Sequence, residues 1–466
     1  MRLEDTNNDG RYDNSTVFAD KLMFPAGAMW LDGSLYVAAP PQILKLTDTT
    51  GDGYADKREV WFEGKTLTGC ANDLHGPYLG PDGWIYWCKG AFAEQSYSDQ
   101  ESKTWKTRAA HLFRRHPSGG VIETVMTGGM DNPVEIAFTA GGERVFTTTF
   151  LQHPRDGKRD GLIHAIYGGV YGKDHGVLDG HPRTGDLMPV LSHQDASAPS
   201  GLVCLKSNHF GNDYRDNLLS TSFNMNKVFR HKTHESGGLL KTTDSDFLVC
   251  DDLDFHPTDI IEDADGSLLV VDTGGWYKLC CPTSQLVKPD ILGTVYRIRR
   301  IDRQPVLDPR GKLIDWDSAN PSEYLNDRRI SVRDVAFDKL IQTRSISVLA
   351  SSLQAKSTST RRQTVWALAQ IDSPKARALT RIALQNDDET VRQVAAHSTS
   401  LWRDSMAIPY LRQLLKQGPP SHRRVAAEAL GRIGDSATVD DLLLAAKNAG
   451  NDRGVDHSIT YALIEI

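Results

Sequence analysis

Gly76-Pro77-Tyr78-Leu79-Gly80-Pro81-Asp82-Gly83-Trp84-Ile85-Tyr86 holds a structural unit in one short stretch: a Gly-Pro opening, an apolar strand, a Gly-rich turn and a second apolar strand. The chain restates this phrase at Asn132-Pro133 through Ala140-Gly141-Gly142 and at Pro257-Thr258 through Asp263-Ala264-Asp265-Gly266-Ser267-Leu268-Leu269, with weaker copies from Pro25 and from Pro199-Ser200-Gly201. The openings fall at 25, 76, 133, 199 and 257, a spacing of about 50 to 65 residues that suits four-stranded propeller blades with long loops. Residues 1–300 are therefore expected to form an all-β, six-bladed propeller. Five blades are visible, and the sixth would need the chain's opening strand or residues upstream of it. Unrelated hairpins in a β-sandwich are the alternative, because Asp-Gly turns at regular spacing serve that fold too.

After Arg300 the pattern changes. Asp308-Pro309-Arg310-Gly311 and Asn320-Pro321-Ser322 mark a linker over 301–327, and from 328 to 466 apolar residues recur at helical spacing. Arg362-Gln363-Thr364-Val365-Trp366-Ala367-Leu368, Arg392-Gln393-Val394-Ala395-Ala396 and Arg424-Val425-Ala426-Ala427-Glu428-Ala429-Leu430 align with their arginines 30 and 32 apart, and Val332-Arg333 precedes the series by 29. About five helical pairs of a HEAT-like superhelix are expected, the last incomplete, each burying its apolar face only against its neighbours. Such a solenoid serves as a spacer, as a protein-binding face or as a brace for the propeller.

At 466 residues the chain exceeds one core, in keeping with two units. A net charge of −7 gives no basic footprint for nucleic acid or an anionic membrane. The six cysteines fit no zinc spacing and no C-x-x-C-H sequence is present, so no haem attaches covalently to this chain. There is no signal peptide and no run near the ~18 apolar residues of a membrane span. The start reads as the end of a strand and the finish lies inside a helical pattern; with both ends looking cut, the missing leader says little about compartment.

Asp48, Thr50, Asp52, Gly53, Tyr54, Asp56 and Glu59 occupy positions 1, 3, 5, 6, 7, 9 and 12 of a loop that wraps a hard cation. Alternate oxygens converge on one centre, the glycine permits the sharp turn and the last carboxylate can bind through both oxygens, so calcium is expected. Asp5, Asn7, Asp9, Gly10 and Asp13 repeat the pattern with Thr16 in the closing place. Solvated Asp-Gly turns are the alternative for both. The ion's role would be to stiffen loops.

A propeller gathers the loops ahead of its inner strands around one mouth. These carry Asn72, Asp73 and His75, then Asp131 and Asn132, then His193, Gln194 and Asp195, then His256, a polar set suited to a sugar-like or anionic ligand. His75 reads as a base or as a structural hydrogen-bonder. Trp276 could stack on a flat ligand or fill the core, and Cys280-Cys281 could form a strained disulfide or remain loop thiols.

Leu3-Glu4-Asp5-Thr6-Asn7-Asn8-Asp9-Gly10, Asn72-Asp73-Leu74-His75-Gly76-Pro77, Asn132-Pro133-Val134-Glu135-Ile136-Ala137-Phe138, Ala198-Pro199-Ser200-Gly201, His256-Pro257-Thr258-Asp259-Ile260 and Gly293-Thr294-Val295-Tyr296-Arg297 together resemble the soluble quinoprotein glucose and sorbosone dehydrogenases. More closely the chain resembles the planctomycete-type membrane-bound dehydrogenase domain proteins, in which such a propeller precedes HEAT repeats. The resemblance implies oxidation of a sugar or polyol hydroxyl, with His75 as base, Asn132, His256 and Trp276 around pyrroloquinoline quinone, an external electron acceptor and a periplasmic or extracellular setting. Asp131 and His256 depart from it, standing where arginines are usual and weakening the anchorage of a cofactor with three carboxylates. A non-catalytic glycan- or protein-binding propeller on a HEAT scaffold is the competing reading.

Overall fold

The computed structural model describes all residues except 8, 66, 68–73, 99–103, 153–156, 278–285 and 289. The N-terminal part is a β-propeller-like array and the C-terminal part a stack of helical hairpins. Five sheets begin on the strands Ala28–Leu31, His75–Leu79, Asn132–Phe138, Pro199–Cys204 and Pro257–Glu262, and each innermost strand packs on that of the next sheet. Within a sheet the chain runs outward through antiparallel neighbours; the second also gains the parallel strand Gly169–Gly172. The sixth blade is not formed among the described residues. The opening strand Arg2–Glu4 pairs only with Asn14–Thr16, as a separate hairpin.

Aromatic packing joins the first two blades. Trp87 is fully buried, with Trp61, Phe62 and Phe113 at ring distances of 5.5, 4.8 and 5.6 Å, each such side chain contributing roughly 1.5–3 kcal/mol by burial. The prolines that open the phrase have a second consequence. A proline cannot donate to a β-ladder, and the register slips between His75 and Tyr78, Pro133 and Ile136, Pro199 and Leu202, and Pro257 and Asp259. The innermost strand of four successive blades is thus bulged just inside the mouth. At the other end, Gly83, Gly142 and Gly266 close the inner hairpins at φ of 79°, 89° and 82°, where L side chains are strained.

Among the described residues nine α-helices follow: α1 Ile330–Gln342, α2 Ile346–Ser352, α3 Thr358–Ile371, α4 Pro374–Ala383, α5 Glu389–Trp402, α6 Ile408–Gln417, α7 Pro420–Ile433, α8 Val439–Lys447 and α9 Arg453–Glu465. Ser357, Ser373, Asp388 and Asp452 accept the first free amides of α3, α4, α5 and α9, each cap worth about 1 kcal/mol. The repeat register differs by one from the arginine alignment read in the sequence. Equivalent positions are Arg333, Arg361, Arg392 and Arg423, each the fourth residue of its helix. Arg333, Arg361 and Arg392 donate to the carbonyls of Asp327, Ala355 and Asn386, each six residues earlier. Arg362 and Arg424 lie one step further round and face the propeller.

That next position starts a stripe along every odd-numbered helix. Gln393 and Arg424 both donate to the Glu143 carboxylate, and His457 Nε2 donates to the Tyr167 carbonyl at 3.0 Å. One turn on, Glu428 lies 3.6 Å from Arg144; a further turn on, Gln370 donates to the Pro81 carbonyl at 3.0 Å and Arg432 to Glu123 at 3.0 Å. The solenoid thus covers the propeller end opposite the mouth, and the turn at Gly142 leaves no room for a side chain, since a Cβ there would sit 2.6 Å from Trp366.

Glu143 anchors this interface, taking Arg424 and Gln393 on one oxygen and His164 at 2.7 Å on the other. Burial opposes its charge, but Arg424 and His164 outweigh it and hold the carboxyl well below its usual range. Replacing Glu143 by Ala strands the buried Arg424 guanidinium and should cost about 3–5 kcal/mol of stability. Denaturant unfolding of the full chain measures this, and a loss below about 1 kcal/mol would contradict the assigned role.

Candidate functional site

The bulged strands bring two of the expected mouth residues together. His75 and Asn132 are the first residues of adjacent inner strands, and His75 Nε2 lies 2.8 Å from Asn132 Oδ1. With the amide oxygen accepting, Nε2 carries the hydrogen and Nδ1 the lone pair, the arrangement of a base held in one tautomer. His256 does not join this pair. It precedes the fifth blade's inner strand, is 7% exposed, stacks on Phe223 at 4.5 Å and donates from Nδ1 to the Phe223 carbonyl at 3.2 Å. Its Nε2 has no hydrogen-bond partner among the described residues. Trp276 falls in the short strand Trp276–Tyr277, its side chain outside the description; Asn72, Asp73 and Cys280-Cys281 also lie outside the described residues.

Among the described residues at the mouth, Lys173 and Arg159 are both engaged. Lys173 Nζ lies 3.2 Å from Asp131, whose carboxyl burial nonetheless lifts above its usual range. Arg159 forks onto Asp160 at 2.9 and 2.7 Å, while Asp160 also accepts the amides of Phe150 and Ala198 and so ties two mouth loops together. Anchoring three carboxylates needs free cationic donors. With Lys173 and Arg159 committed to carboxylates, and Asp131 and His256 in place of arginines, these side chains fit pyrroloquinoline quinone poorly.

Just inside the mouth the structure adds residues that the sequence reading passed over. Glu135 on the third blade and Asp259 on the fifth hydrogen-bond to each other, and the Glu135 carboxylate also accepts the Leu202 amide. Burial lifts both carboxyls above their usual range, Glu135 strongly, with the Asp259 charge adding to it. Both lie deep in the propeller yet retain partial exposure, as residues lining a lumen do. Each carboxyl's charge opposes ionisation of the other, so the pair is built to share a proton. Each stands two residues after its proline, at the bulge, where the fourth blade has Gly201; a Cβ on Gly201 would meet the Asp259 backbone at 2.6 Å. Tyr78 lies near them, its hydroxyl donating to the Val134 carbonyl at 3.0 Å and its phenol pushed well up by burial and then by Glu135. The signal was present in Pro133-Val134-Glu135 and Pro257-Thr258-Asp259, at matched positions in two copies of one phrase.

The acidic loops lie elsewhere. Residues 48–56 join the third and fourth strands of the first blade, at the end opposite the mouth. Asp48 accepts amides from Gly53, Gly51 and Thr50 at 2.8, 2.6 and 3.2 Å; Asp52 accepts Tyr54; Asp56 accepts both the amide and hydroxyl of Thr49. These bonds hold Asp48 and Asp56 below the usual carboxylate range, through Gly53 and Thr49 respectively. Glu59 sits in the strand Lys57–Glu63 with Lys57 at 3.0 Å. In the second loop Asp5 and Asn7 accept the Asp9 amide, Asp5 also that of Gly10, and Asp13 takes the amide and hydroxyl of Thr6. Among the described residues no three His, Cys, Asp or Glu side chains gather to hold a metal ion. As they stand, both loops close on their own amides.

Sequence comparison gives a family for the chain. The model of the family described as a domain of unknown function, DUF7133, matches residues 1–302, and the chain belongs to that family; HEAT-repeat models match 320–400 and 378–464. No curated protein matches it significantly. Among solved structures, a protein of Thermus thermophilus described as an oxidoreductase (glucose dehydrogenase) is 14% identical over 59% of this chain and 97% of its own, with a TM-score of 0.35. Another glucose dehydrogenase is 10% identical over 61% and 99%, at 0.31. Human deoxyhypusine hydroxylase is 20% identical over 31% of this chain and 60% of its own, at 0.24. At these TM-scores no functional argument rests on the similarities.

The carboxyl pair makes a pH-dependent prediction. Carboxyls with raised folded pKa values stabilise fully below the unfolded value, near 4, and that stability is lost as pH rises through the folded values. Glu135→Gln, which leaves one ionisable partner, should therefore gain stability relative to the unmodified chain as pH rises from about 5 to about 9. Melting temperatures of the two proteins across that range decide it, and parallel curves would show that no proton is shared.

Proposed function

We propose that this DUF7133-family propeller binds a sugar or polyol at its mouth and that His75 takes the proton of a bound hydroxyl. The observation that carries the reading is the His75–Asn132 pair at 2.8 Å, set above the Glu135–Asp259 carboxyls. An imidazole titrates near working pH and suits proton abstraction, and a pair sharing one proton can donate to one ligand oxygen while accepting from another. Abstraction is one half of alcohol oxidation. The other half, loss of hydride from carbon, needs a two-electron acceptor that these side chains do not supply. The sequence resemblance names pyrroloquinoline quinone, which the paired mouth cations disfavour, so that same pairing supports the second reading of a glycan-binding propeller without redox chemistry.

Dye reduction by the full chain across a panel of sugars and polyols, with pyrroloquinoline quinone and calcium added, separates the two. Oxidation requires a cofactor-dependent rate that falls by ~10²-fold or more in His75→Ala. Ligand binding by calorimetry without any such rate supports the second reading, and neither signal would end both. Calcium uptake at residues 48–59 is proposed as loop stiffening, with Asp48 and Asp56 exchanging their amide bonds for the ion. Titration should give a saturable calorimetric signal that Asp48→Ala removes, and silence in the unmodified chain would retire the ion.

A further inference from the structure

Between the turn end of the propeller and the solenoid lies an open cleft of about 1480 Å³, roofed by α1, α3 and the end of α5. It exceeds the ~300–1,000 Å³ of ordinary small-molecule pockets. The solenoid stripe that grips the third blade does not close here, and the two walls stand apart.

The cleft has a cluster of cations. Arg215 of the fourth blade, Arg333 of α1 and Arg362 of α3 line it together. Arg333 donates to the carbonyls of Asp327 and Lys206 at 2.7 and 3.1 Å, and Arg362 to the Thr390 hydroxyl at 3.1 Å. Arg215 makes no side-chain hydrogen bond, and none of the three has a carboxylate within ion-pair distance among the described residues. Burial and then the Arg215 charge hold Arg333 below the usual range, and burial lowers Arg362 despite nearby Asp216. Three guanidinium groups therefore stand beside one another with Asp216 and Asp334 nearby but with none of them in a direct ion pair among the described residues. Acidic groups line the cleft as well, with Asp32 of the first blade and Asp334 of α1 both close to Asp338. The walls also carry aromatic rings, among them Trp30, which is 58% exposed, and the partly exposed Trp84 and Trp402.

We propose that this cleft is a second ligand site that takes an acidic oligosaccharide, its carboxylate or sulfate groups held by Arg215, Arg333 and Arg362 and its sugar faces laid against Trp30, Trp84 and Trp402. Planar guanidinium forks match carboxylate and sulfate oxygens. Aromatic faces cover the apolar C–H face of a pyranose, and free carboxylates accept its hydroxyl hydrogens. The carboxylates in the lining repel a uniform polyanion such as a nucleic acid and tolerate a chain whose charges are spaced. The volume suits several sugar units. The site is independent of the mouth, which lies at the other end of the inner strands.

Calorimetric titration of the full chain with a galacturonate oligosaccharide, a sulfated oligosaccharide and a neutral one of equal length tests this and distinguishes the two anions. At least one acidic probe should bind, at least ~10-fold more tightly than the neutral one, and Arg215→Gln should weaken it by at least ~10-fold. His75→Ala should leave that affinity unchanged, and melting temperatures verify that both variants are folded. Failure of both acidic probes, equal binding of the neutral one, an unaltered affinity in Arg215→Gln, or loss of binding in His75→Ala would each overturn the proposal.

Discussion

The contact between Glu143 and Arg424 constrains the rest of the molecule. Each side chain is almost wholly buried, and each comes from a different architecture: a turn of the third blade and the fifth residue of α7. An ion of this kind costs several kcal/mol to desolvate alone. Each is tolerable only because the other is present, with His164, Gln393 and the Gly238 carbonyl completing the hydrogen bonds. Propeller and solenoid are thus tied by a polar interlock whose parts make no sense separately, and the relative placement of the two repeats follows from it.

The same logic runs along the stripe. HEAT hairpins bury apolar residues against their neighbours, leaving the outward side of the odd helices free for another purpose. Here Gln393, Arg424 and His457, and one turn later Glu428 and Tyr461, face the propeller, where Glu143, Arg144 and Tyr167 receive them. The interface is strongest under the second and third blades and opens toward α1 and α3, where the stripe residues Asp334, Asp338 and Arg362 meet a cleft. A face of the solenoid that could have taken a separate protein is engaged by its own chain.

Much of this was legible in the sequence, for definable reasons. A proline followed by a strand and a Gly turn is a local signal, and all five openings fall within three residues of an observed inner strand. Helical spacing after residue 328 is equally local. The repeat register was misread by one because Arg361-Arg362 and Arg423-Arg424 are doublets, and adjacent residues on a helix point about 100° apart, so the choice decides which faces a neighbouring loop and which the propeller. The acidic loops were legible as turns, but whether carboxylates point at an ion or at their own amides is a matter of a few dihedral angles. The Glu135–Asp259 pair escaped because its members are far apart in sequence and meet only through the stacking of three blades. Matched position within a repeat was the available clue, and a residue two places after a proline looked like strand filler.

That placement follows from the bulge. A regular strand would alternate its side chains between the two faces of a blade. A proline that cannot donate to the ladder forces an extra residue into the inner strand, and the side chain beyond it is re-aimed. In the second, third, fourth and fifth blades the slip falls at the same depth, which turns a local defect of backbone bonding into a ring of positions facing the lumen. The residues at that depth in the third, fourth and fifth blades are Glu135, Gly201 and Asp259, two of them able to hold or pass a proton and the other small enough to let the strand behind it approach. The fold therefore supplies the geometry for proton chemistry through its opening prolines, while Lys173 and Arg159 at the mouth are spent on Asp131 and Asp160. A ligand that enters meets paired charges at Lys173 and Arg159 and, beneath them, a buried carboxyl pair whose ionisation burial opposes, conditions that favour a hydroxyl-rich neutral molecule over an anion at these groups.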